Sequence, residues 1–133
     1  MVNSVDRDRA GNRINLNDDQ EARTLALRIA DILSDTPAVN TILLEITEIS
    51  SIADFFLLCS GGNERQLRAI SDEVTEELAK DGIRPLRMEG TPRSGWILLD
   101  FGDVVAHVFV AELREFYKLE QLWAEAPRVL SIQ

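Results

Sequence analysis

From Ala22 onward the apolar residues recur at helical spacing, with Ala22, Leu25, Ala26, Ile29, Ile32 and Leu33 on one face. Asn17 and Gln20, three residues apart, have the form of a capping box, so a first helix is predicted from residue 17. It must end before Pro37, whose ring cannot continue a helix. In TILLEI the period changes to two: Ile42, Leu44 and Ile46 alternate with Leu43 and Glu45, which reads as a strand. A polar turn follows. Then the solidly apolar run Phe55 to Cys59 reads as a central strand covered on both faces.

Gly61-Gly62 breaks that strand, and Asn63 with Gln66 starts a second helix with a core stripe of Leu67, Ile70, Val74 and Leu78. Gly82 supplies its C-cap. Its other face, with Glu64, Asp72, Glu73, Glu76 and Glu77, reads as solvated. IRPLRME is a third strand, placed at an edge or a strand end because Pro85 cannot donate a ladder hydrogen bond, and GTPRSG is a loop. Trp96 to Asp100 and Val104 to Phe109 flank the short turn Phe101-Gly102-Asp103 and should pair as an antiparallel hairpin. Glu112 to Trp123 is a last helix, whole or interrupted near Lys118.

The order α, β, β, α, β, β, β, α gives an α/β (α+β) fold: one mixed sheet of about five strands flanked by helices. The domain should span residues 17 to 124. Residues 1 to 16 mix Arg, Asp, Asn and Gly without periodicity and are expected to be a flexible tail, and 125 to 133 a short polar one.

Charge narrows the function. With 14 Lys+Arg against 23 Asp+Glu the chain carries a formal charge of -9, which repels nucleic acid and favours a basic protein partner. Arg84, Arg87 and Arg93 gather near one loop, but without interleaved aromatics they make RNA binding the weakest reading. No apolar run is long enough for a membrane span or a signal peptide, so the expected location is the cytoplasm. Cys59 has no partner cysteine and reads as a small buried hydrophobe. His107, alone in VVAHVF, reads as a structural histidine rather than a zinc ligand. Ser60-Gly61-Gly62 fits a tight turn better than a phosphate loop. Trp96, opening a strand after a glycine-bounded loop, fits a surface contact and core packing equally well.

Four phrases, IADFFLLCSGGNERQLRAISDEV, RMEG, GWILLDFGDVVAHVF and ELREFYKLEQLW, come in an order and spacing that resemble the Iojap family of ribosomal silencing factors. Two departures are Phe55, where the family often has Tyr, and Asn63, near which it often has a small hydroxyl residue. The resemblance implies a translation repressor that binds the large ribosomal subunit through its protein numbered fourteen and blocks joining of the small subunit. It also implies a homodimer, no cofactor and no enzymatic activity. By the same resemblance Trp96, Tyr117, Leu119 and Glu120 belong to the docking surface, with Glu89, Asp100 and Asp103 beside it as acidic partners for Lys or Arg. Leu122 is expected in the core; Trp123 fits core or surface. The family fold is similar to that of nucleotidyltransferases, which makes a metal-dependent nucleotidyltransferase-like enzyme the alternative. That reading lacks an Asp-x-Asp strand after the Ser60 turn, and Asp72 and Glu73, adjacent on a helix, point in different directions.

Overall fold

A computed structural model of the chain describes residues 6–8, 12–14, 16–49, 51, 53–118, 121 and 126–132, with side chains from Gln20 onward except those of Phe116 and Tyr117. In chain order the elements are β1 (Asp6–Asp8), β2 (Asn12–Ile14), α1 (Leu16–Leu33), β3 (Val39–Glu45), β4 (Phe55–Gly61), α2 (Glu64–Lys80), β5 (Arg87–Thr91), β6 (Trp96–Asp100), β7 (Val104–Val110), α3 (Ala111–Tyr117) and β8 (Arg128–Ile132). Six strands form one sheet in the order β5-β6-β7-β4-β3-β8. All neighbours are antiparallel except β4 and β7, which run parallel at the centre. The fold is therefore a mixed α+β sheet with flanking helices.

Both ends of the chain depart from the sequence expectation. Residues 128 to 132, expected to be a polar tail, are the edge strand β8, paired from Thr41↔Ile132 to Leu44↔Arg128. Arg128 and Ser131 break the apolar pattern there because an edge strand is only half covered. β8 also explains why Thr41 to Leu44 are all buried: β3 is an interior strand. At the other end, β1 and β2 pair with each other in the segment expected to be a tail, and they join no strand of the main sheet. Ladders this short are marginal alone.

The helix signals translate into contacts. α1 starts at Leu16, so Asn17 lies inside it instead of capping it. At α2 the N-cap is Asn63, whose Oδ1 accepts the Gln66 N–H at 2.9 Å while Gln66 Oε1 accepts the Gly62 N–H at 2.7 Å. Two otherwise orphaned amides are satisfied reciprocally. Leu67, Ile70, Val74 and Leu78 of α2 and Ala26, Ile29 and Leu33 of α1 cover one sheet face, meeting Leu43, Leu57, Cys59, Leu99 and Val108. Cys59 is enclosed there, and burial pushes its thiol up to about 12, the signature of an inert packed cysteine. Alternation turns Ile42, Leu44, Phe56, Leu58, Val105 and Phe109 to the opposite face, where they form a second cluster with Ile46, Ala53 and Ala126.

Candidate docking face

The second sheet face continues onto β6 and β5, and there it reaches solvent. Register sets which side chains share it. Trp96 faces Phe109 and Leu98 faces His107 across β6–β7, and Thr91 faces Trp96, Glu89 faces Leu98 and Arg87 faces Asp100 across β5–β6. Three residues predicted for docking, Trp96, Asp100 and Glu89, thus stand on one face of one pair of strands.

Trp96 does both things that its sequence context allowed. Its indole packs on the Phe109 ring, with centroids 4.9 Å apart, yet the residue stays 38% exposed. The strand start is fixed by Gly90, whose φ of +82 suits only glycine and whose added Cβ would sit 1.9 Å from the Trp96 carbonyl oxygen. Behind the indole, Trp96 Nε1 donates to His107 Nδ1 at 3.3 Å. His107 is 7% exposed and packed among aromatics, edge-on to Phe56 at 4.9 Å and parallel to Phe109 at 5.9 Å. Since Nδ1 accepts, the neutral ring carries its proton on Nε2. That atom is buried and has no hydrogen-bond partner among the described residues. Burial pulls the imidazole down to about 4, so it stays neutral at physiological pH. The histidine predicted as structural is therefore satisfied at one nitrogen only.

The acidic rim is less free than expected. Arg87 Nη1 contacts Glu89 at 2.8 Å and Arg87 Nε contacts Asp100 at 3.0 Å. Asp100 also accepts the Gly102 N–H at 2.8 Å, with its side chain only 18% exposed. Its first task is to hold the β6–β7 turn; Glu89, 54% exposed, is the more available carboxylate. Asp103 is exposed, and its carbonyl accepts the amides of Asp54 and Phe55.

α3 ends where Lys118 adopts φ +51, the interruption expected near that residue. Tyr117 is its last residue, with its side chain outside the described set. Leu119, Glu120, Leu122 and Trp123 also lie outside the described residues.

Sequence reasoning missed Arg114. It is 5% exposed, and its Nη1 donates to the Asn40 carbonyl at 2.7 Å and to Ser60 Oγ at 3.0 Å. The guanidinium ties α3 to β3 and β4 across a bulge where Asn40 takes φ +54. A lone arginine among acidic residues carries no local signal of burial. This contact also occupies the Ser60 hydroxyl, and Gly61 packs on Leu67, so the turn compared with a phosphate loop is used structurally.

A family model described as "Ribosomal silencing factor during starvation" matches residues 19–133. The chain belongs to the ribosomal silencing factor family. A relative in Halalkalibacterium halodurans, named Ribosomal silencing factor RsfS, is 43% identical over 110 residues, covering 83% of this chain and 92% of that protein. Among solved structures, one from Bacillus halodurans has a TM-score of 0.68 at 39% identity, covering 84% of this chain and 98% of that one. One from Chromobacterium violaceum has a TM-score of 0.70 at 30% identity, covering 79% and 85%. The silencing-factor match runs to the last residue, so it includes β8.

Proposed function

We propose that this protein represses translation by docking on the large ribosomal subunit at its protein numbered fourteen and blocking the small subunit from joining. The observation that carries the reading is the half-exposed Trp96 indole on the sheet face shared with Leu98 and Glu89, in a chain of the silencing family. A rigid aromatic backed by packed rings offers large contact area at little entropic cost, which is what an interface centre needs. The net charge of -9 favours a basic ribosomal protein over bare RNA. Repression by this route is occupancy, not catalysis, and asks for no cofactor. Tyr117, Leu119 and Glu120 would extend the contact from the end of α3, and the free protein would be a cytoplasmic homodimer.

The test is co-sedimentation with isolated large subunits, isolated small subunits and joined ribosomes, followed by a subunit-joining assay and sedimentation of the free protein. Binding to large subunits alone with reduced joining is expected. Sedimentation with none of the three would end the reading.

A further inference from the structure

Among the residues behind the docking face, His107 is the one whose chemistry the fold does not require. It stands in the alternation Val105, His107, Phe109, opposite Leu58 and Leu98 and beside an apolar core cluster. Its Nε2–H is buried and has no partner among the described residues, and taking a polar N–H out of water carries a cost that an apolar ring does not. A phenylalanine would fill the site between Phe56 and Phe109 without that cost. What the imidazole supplies and a phenyl ring cannot is an acceptor at Nδ1, and that acceptor holds the indole N–H of Trp96.

We infer that His107 is a positioning residue for docking: its Nδ1 fixes the plane of the half-exposed Trp96 indole so that one preset face is offered to a protein partner. The inference rests on the docking role proposed for Trp96. Three features support it. The stack fixes the imidazole, which is parallel to Phe109 with 5° between planes and edge-on to Phe56, so the acceptor points in a set direction. The indole rests on Phe109 at 4.9 Å with an interplanar angle of 48°, a tilted apolar contact to which the N–H hydrogen bond adds a directional restraint. Burial keeps the ring neutral, and therefore able to accept, throughout the physiological pH range. Holding the side chain in its bound orientation before the encounter removes an ordering cost from association.

The test joins two measurements on the full chain. In isotope-labelled wild-type protein, long-range proton–nitrogen correlation should show an imidazole protonated on Nε2. The Trp96 indole N–H, identified by its loss in Trp96→Ala, should exchange with solvent more slowly in the wild type than in His107→Phe. In parallel, binding to isolated large subunits should weaken about tenfold in His107→Phe, which fills the volume but offers no acceptor. Much of it should return in His107→Asn, whose amide oxygen can stand near the Nδ1 position. An imidazole protonated on Nδ1 overturns the proposal, and this reading needs no variant to fold. So does unchanged indole exchange in a folded His107→Phe. If Trp96→Ala loses docking while His107→Phe docks like wild type, the docking reading stands and the positioning role falls. If Trp96→Ala itself docks like wild type, the docking role of Trp96 falls and the positioning role with it, whatever the tautomer.

Discussion

Trp96 and His107 are adjacent in space, but their substitutions should read out differently. Truncating Trp96 to Ala removes a side chain that touches Phe109 and is 38% exposed. If it is a docking hot spot, binding to the large subunit should weaken by about 2 kcal/mol, or roughly thirtyfold, with the domain still folded. Subunit co-sedimentation and a thermal melt together check this. His107 should instead appear in the pH dependence of stability. Its folded value of about 4 lies below the 6.5 of an unperturbed histidine, so between those values the unfolded chain binds more protons than the folded one. This contribution is complete above pH 6.5 and is lost as pH falls towards 4. Between about pH 7.5 and about pH 5 the wild type should lose roughly 2 kcal/mol more than His107→Phe, in which the titrating group is gone. Urea unfolding at the two pH values measures the difference, and parallel losses in both proteins would show that the imidazole is not desolvated as the fold implies.

At the scale of elements, how each strand is bounded matters more than its composition. Gly90, one residue before the end of β5, holds φ +82 against the Trp96 carbonyl, so Gly90→Ala should cost about 2 kcal/mol and displace the start of β6. A urea midpoint shift with weakened docking is the expected result; a tolerated alanine would mean that the β5–β6 turn can re-form without moving Trp96. β8 makes the second test. Ending the chain after Pro127 uncovers the edge of β3 and the side of Ile42 and Leu44, so a loss of about 3 kcal/mol and concentration-dependent self-association are expected. Equilibrium unfolding and gel filtration at two concentrations would show whether β3 tolerates being an edge. β8 was also the strand of the main sheet that pattern did not find. Arg128-Val-Leu-Ser-Ile has two half-buried side chains among five, so its apolar content reads as a tail. Strands β4, β6 and β7 were legible because interior strands are written in continuous apolar residues, and α2 because Asn63, Gln66 and its apolar stripe agree. Of the candidate docking face, Trp96, Glu89 and Asp100 were legible through family resemblance. The cross-strand Arg87–Asp100 pair and the buried Arg114 were not legible, because both depend on which strands become neighbours.

For the whole molecule, the decisive quantities are the layering and the charge. α1 and α2 both pack on one side of the sheet, so the Trp96 side of β5 and β6 is the surface through which the proposed partner would be met. The chain as a whole carries -9, with 23 acidic against 14 basic residues. A field of that size acts at a distance and is screened by salt, whereas the indole contact acts only once the surfaces meet. The two should therefore separate kinetically. Raising ionic strength from roughly 50 to roughly 300 mM should slow association with large subunits by about tenfold while changing dissociation little. Trp96→Ala should do the reverse, accelerating dissociation at an almost unchanged association rate. Stopped-flow or surface-based kinetics on immobilised large subunits resolves both arms. If salt instead accelerated association, the field would be opposing the encounter, as expected where phosphate rather than basic protein surrounds the landing site. The acidic chain would then have to find its protein partner against the charge of the ribosomal RNA, and the rim around Trp96 could not be assigned a steering role.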